Sequence, residues 1–127
     1  MTLGRSLPEA VELDARMRLE DLVDRAALAE LCRSVYVLFG IPVRIYSEGT
    51  GLVADASSEH EICAYVNTLA PGRRACGSTV DAVKSRDPGD AADVVHPCFT
   101  GQQYRVFPID YEGRRVGRVI LGPYAPP

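Results

Sequence analysis

The chain has 127 residues, 46% hydrophobic and 24% charged, with 14 Lys and Arg against 17 Asp and Glu. That length suits one domain with its own core, and that composition argues against a disordered or fibrous chain. A formal net charge of -3 gives no basic field for a phosphate backbone, which argues against nucleic acid as a direct partner, and no apolar run approaches the ~20 residues that cross a bilayer.

Residues 1–18 have weak periodicity and read as a leader or a dimerising helical segment. They lack a signal peptide's apolar centre, because Asp14, Arg16 and Arg18 separate Leu13, Met17 and Leu19. The expected compartment is the cytoplasm, where the four cysteines stay reduced and form no disulfide framework. Leu19 to Asp24 reads as a short amphipathic turn. Asp24 is a good N-cap, and Val23 and Leu28 are spaced as a hydrophobic staple around it. Leu28, Leu31, Cys32, Val35, Leu38 and Phe39 recur at helical spacing, and Gly40 and Pro42 end the run, so a helix is predicted over 25–39 with Cys32 as core filler.

Pro42 to Tyr46 and Leu52 to Ala54 read as a hairpin around the glycine-containing loop Ser47 to Gly51. Ser58 and Glu61 form a capping box for a second helix over 58–69, stopped by Pro71-Gly72, and a third helix is predicted over 75–86. Arg73 and Arg74 read as a solvated turn. Three strands follow: Asp93 to Cys98, then Gln103 to Tyr111 and Arg114 to Leu121 joined by a tight turn at Glu112-Gly113. Pro108 implies a bulge or a local edge in the middle one. Hairpin-linked strands with helices between them give an α+β domain with an antiparallel sheet, and no repeated strand–helix–strand crossover suggests a doubly wound fold.

Three stretches, in order, carry a family likeness. They are Leu19 to Asp24 with the following helix and Gly40-Ile41; Cys63 and Cys76 opening successive helices; and Pro97-Cys98-Phe99-Thr100-Gly101, Phe107-Pro108-Ile109 and Val116 to Pro123. Over about Leu19 to Tyr124 this set resembles the PocR sensory domain, a PAS-fold variant found in bacterial and archaeal regulators and histidine kinases. The resemblance implies a PAS-like antiparallel sheet of about five strands with flanking helices over residues 19–127. It further implies a ligand-sensing module that acts on an output domain such as a histidine kinase or a transcription regulator. Two departures bear on what the pocket binds: His96-Pro97-Cys98 stands where the family often has a Cys-His pair, and Ser47 to Gly51 replaces its usual aspartate–glycine loop.

The candidate site residues are Cys63, Tyr65, Cys76, His96, Cys98, Phe99, Gln103 and Phe107, with Tyr104 beside them. Thiols and a few aromatic and polar groups suit a small-molecule cavity between the sheet and the second and third helices. Cys63, Cys76, His96 and Cys98 are also a possible tetrahedral donor set for zinc or iron, although no pair has Cys-x2-Cys spacing, and the expectation is thiols around a pocket without a cofactor. His96 and Cys98, two apart on a strand, invite a nucleophilic reading, but nothing signals an orienting third group or an oxyanion hole. The expected function is a non-enzymatic sensory domain that binds a small ligand. The alternatives are an interaction or dimerisation module of the same fold, or a metal or redox sensor built on the cysteines. A homodimer through Val11, Leu13 and Met17 is expected.

Overall fold

The computed structural model describes residues 17–49, 51–57 and 61–127. Val11 and Leu13 of the expected dimer contact, and Ser58 of the expected capping box, lie outside these residues. Helix α1 (Leu19–Leu22) leads directly into α2 (Arg25–Phe39). The Asp24 carboxylate accepts from the backbone N–H groups of Ala26 at 3.0 Å and Ala27 at 3.4 Å, satisfying two of the donors that a helix start leaves open. Gly40, at φ 69°, closes the other end in the left-handed conformation.

Five antiparallel strands follow, β1 (Val43–Ser47), β2 (Gly51–Ala56), β3 (Val94–Pro97), β4 (Gln103–Tyr111) and β5 (Arg114–Tyr124), in the sheet order β2-β1-β5-β4-β3. Between β2 and β3 run α3 (Glu61–Val66) and α4 (Ala70–Lys84). This is an α+β, PAS-like architecture. The β4–β5 turn has Glu112 at φ 53° and Gly113 at φ 74°, the positive pair that matches hairpin twist. Pairing with β3 ends at Val94–Val106, so Pro108 falls where β4 has no neighbour on that side, and the ladder shifts register just beyond it.

Two expectations need correction. Pro71-Gly72 does not precede the third helix but lies in its first turn, where proline's missing N–H costs nothing. Gly72 is needed there because a Cβ would stand 2.1 Å from the Val66 carbonyl oxygen. The apolar stripe of α2 is also narrower than its periodicity suggested. Leu28, Cys32 and Val35 pack inward, while Leu31, Leu38 and Phe39 are 58%, 75% and 69% exposed. The helix rests on the β1–β2 side of the sheet, and a single helix on a sheet buries only the stripe that faces it.

Strand alternation divides the core in two. On the outer face, α1 and α2 cover Val43, Ile45, Val116, Val119, Leu121 and Ile109. Leu19 is buried above Gly117, where a Cβ would stand 2.9 Å from Leu19 Cδ2 and 2.3 Å from the Tyr46 carbonyl oxygen. Met17 is held beside it, its carbonyl accepting from Arg114 Nη2 at 2.9 Å. On the inner face, Val83 of α4 packs with Tyr104, Val106 and Ile120, joined by Tyr46, Val94 and Cys98.

Candidate functional site

The register lays the inner face out in rows. Arg44 pairs with Ile120, Ile120 with Val106, and Val106 with Val94, which forms an apolar floor ending in one guanidinium. The row toward the β1–β2 loop holds Tyr46 opposite Arg118 and Arg118 opposite Pro108. On the other side His96 pairs with Tyr104. Ile120 and Val106 are 1% and 0% exposed, so this floor is fully covered.

Cys98 packs with Tyr104, and Cys63 and Cys76 lie near enough to act on its phenol electrostatically. Burial pushes that phenol up to about 12, and Cys98, Cys63 and Cys76 add to the rise while Arg44 opposes it. At neutral pH the ring therefore carries a neutral hydroxyl. The thiols come from three elements: Cys63 from α3, Cys76 from α4 and Cys98 from the turn after β3. That turn closes through Cys98 N–H to the Gln102 carbonyl at 2.9 Å and Gly101 N–H to the Cys98 carbonyl at 3.1 Å. Inside it, the Thr100 hydroxyl lies 3.2 Å from Cys98 Sγ and 3.4 Å from Gln102 Oε1, and Gln102 Oε1 accepts from Cys63 Sγ at 3.9 Å. A chain of polar side chains thus links Cys98 to Cys63. None of the cysteines is in a disulfide.

His96 shares the face with Tyr104, and its Nδ1 lies 3.3 Å from Arg86 Nη1. A guanidinium can only donate, so Nδ1 is the accepting nitrogen. Burial first, and then the Arg86 charge, hold the imidazole below its ordinary pKa. Arg118 is nearly buried, and Glu48 Oε1 accepts from its Nη2 at 2.6 Å and its Nε at 3.2 Å while the Arg86 carbonyl accepts from Nη1. Among the described residues, no three His, Cys, Asp or Glu side chains are grouped to hold a metal ion.

The remaining candidates stand elsewhere. Phe107 pairs with Val119, on the face that α2 covers. Gln103 precedes Tyr104 and donates to the Tyr124 hydroxyl at 3.0 Å, an oxygen it shares with Arg105 Nε at 3.3 Å. Tyr65 and Phe99 are 64% and 51% exposed. A groove of about 370 Å³ runs along the outer side of α2, lined by Arg33, Ser34, Val37 and Leu38, away from the thiols. Sequence reasoning passed over Arg44, Gln102, Thr100 and Arg118. Arg44 carried a signal, since it alternates with Val43 and Ile45 and so had to face the side of β1 opposite the α2 core.

The family model for the sensory domain found in PocR matches residues 21–127. The chain belongs to that family. The match runs from α1 through the last strand, so both faces of the sheet and all three of these thiols are part of the PocR domain. No curated protein matches the chain. Among the described residues of this PocR domain, no helix is long and apolar enough to cross a membrane.

Proposed function

We propose that this PocR domain is a non-enzymatic receptor that binds a small molecule on the inner face and passes its occupancy to an attached or associated output module. The observation that supports this reading most is the packing of Cys98 with a neutral, buried Tyr104, with Cys63 and Cys76 near enough to act on its phenol. A packed core needs none of this polarity, whereas a binding site combines apolar walls with a few polar anchors. Strand β5 supplies a path for the signal. Its Ile120 lies on the ligand side while Val119 and Leu121 pack under α2. A ligand that favours one position of β5 over another therefore biases α2 as well.

The test is a melting-temperature screen of the domain against short-chain alcohols, aldehydes and carboxylates. Compounds that raise the melting temperature of the natural protein are expected to lose that effect when Cys63, Cys76 and Cys98 are all changed to Ser. A screen without stabilising compounds, or with compounds equally effective on both proteins, would contradict the reading.

A second reading is favoured by Leu31, Val37, Leu38 and Phe39, which leave an apolar strip of α2 in solvent. A second copy of the chain, paired about a two-fold axis, would cover it. Sedimentation at micromolar concentration tests this. A dimer that becomes monomeric on Leu38→Glu supports the contact, and a monomeric natural protein excludes it.

A further inference from the structure

Cys98 and Cys63 stand at opposite ends of one line of polar side chains. The Thr100 hydroxyl lies 3.2 Å from Cys98 Sγ and 3.4 Å from Gln102 Oε1, and Gln102 Oε1 accepts from Cys63 Sγ at 3.9 Å. A hydroxyl has one proton to give, and 3.4 Å is long for a bond between two oxygens, so that proton is directed at the Cys98 sulfur. The two thiols therefore differ. Cys98 presents its sulfur as an acceptor, while Cys63 points its own proton at an amide oxygen. Both are partly exposed, unlike the buried Cys32.

Thr100 and Gln102, which stand between the sulfurs, belong to the same surface turn as Cys98, and Phe99 in that turn is 51% exposed. A shift of the turn carries these side chains with it and leaves Cys63, on α3, facing Cys98. We propose that Cys98 and Cys63 are a redox pair, in which hydrogen peroxide oxidises Cys98 and Cys63 closes a disulfide. The Cys98 sulfur attacks a peroxide oxygen: an S–O bond forms, the O–O bond breaks, and the Cys98 proton ends on the departing oxygen, which leaves as water. The Thr100 hydroxyl is placed to donate to that oxygen as it departs. The Cys63 sulfur then attacks the sulfenic sulfur: an S–S bond forms, the S–O bond breaks, and the Cys63 proton leaves with the hydroxide as a second water. Two thiols lose two electrons and one peroxide becomes two waters. The new bond ties α3 to the end of β3, which makes oxidation an input to the domain that does not rest on the ligand reading.

The test treats the natural protein with one equivalent of hydrogen peroxide under native conditions, blocks the remaining thiols with N-ethylmaleimide and maps the peptides by mass spectrometry. A Cys63–Cys98 disulfide is expected, lighter than the two thiols by two hydrogen atoms and reversed by dithiothreitol, with Cys32 still a thiol. In Cys63→Ser, dimedone should trap a sulfenic acid on Cys98, and in Cys98→Ser the same dose should leave Cys63 reduced, with folding of both variants checked by circular dichroism. A disulfide through Cys76, a natural protein that keeps both thiols reduced, or a Cys63→Ser protein with no adduct on Cys98 would overturn the pair.

Discussion

The ring of Tyr104 packs against the bare backbone of Gly122: a Cβ placed there would stand 3.1 Å from Tyr104 Cδ2 and 2.8 Å from the Gln103 carbonyl oxygen. Gly122 is also at φ 124°, a conformation that side chains rarely adopt. Both constraints act at the strand position beside Tyr104. Gly122→Ala is therefore expected to destabilise the domain by about 2–4 kcal/mol, from backbone strain and overpacking together. Urea unfolding followed by circular dichroism measures it, and a loss below about 0.5 kcal/mol, the range of an indifferent surface change, would contradict the packing described.

The Tyr104 phenol, pushed up to about 12, should ionise after the ordinary tyrosines when absorbance near 295 nm is followed against pH. The sign of the linked stability follows from the protons held in each state. Between an unfolded pKa near 10 and the folded value of about 12, the unfolded chain has lost this proton and the folded chain keeps it. The contribution of Tyr104 is intact below pH ~10 and falls as pH rises through that window. Tyr104→Phe should remove the late step from the titration. A late step that persists in this variant would assign it to another ring.

Thiol reactivity should divide the cysteines three to one. Cys32, on the sheet-facing side of α2, is 0% exposed, and burial, with Asp55 adding to it, raises its pKa, so little reactive thiolate reaches solvent. Cys63, Cys76 and Cys98 are only partly covered. With a maleimide under native conditions, mass spectrometry of peptides should show those three labelled well before Cys32. Labelling of Cys32 at a comparable rate would mean that α2 lifts readily from the sheet.

Arg118 and Glu48 should be unequal partners. The Arg118 side chain is 11% exposed and that of Glu48 is 42% exposed, so removing Glu48 strands a nearly buried cation while removing Arg118 leaves a carboxylate that water can reach. Glu48→Ala is expected to cost about 2–3 kcal/mol, and Arg118→Met less, because its apolar stem still fills the space. Thermal unfolding of the two variants checks the order, and a larger loss from Arg118→Met would reverse the argument.

Much of the fold was legible because its signals are local. Asp24, Gly40 and Glu112-Gly113 mark boundaries by backbone chemistry, and alternation in Pro42 to Tyr46 set that strand. What could not be read depended on which face a residue took. Phe107 and Tyr104 are three apart, so strand alternation puts them on opposite sides of the sheet, but which side faces α2 and which faces α4 is set by tertiary packing. Leu31 and Leu38 have the same helical spacing as Cys32, but how much of α2 the sheet covers is set by tertiary packing.

Backbone amide shifts on titration locate a ligand most directly. A nitrogen-15-labelled domain is titrated with the short alcohols, aldehydes and carboxylates that stabilise it. The largest shifts are expected at Cys98 to Tyr104, Val106 and Ile120 on the inner face and at Cys63 and Cys76 above it, with smaller ones relayed through Val119 and Leu121 to α2. Shifts confined to Arg33, Ser34, Val37 and Leu38 on the outer side of α2, with the inner face unmoved, would contradict the account.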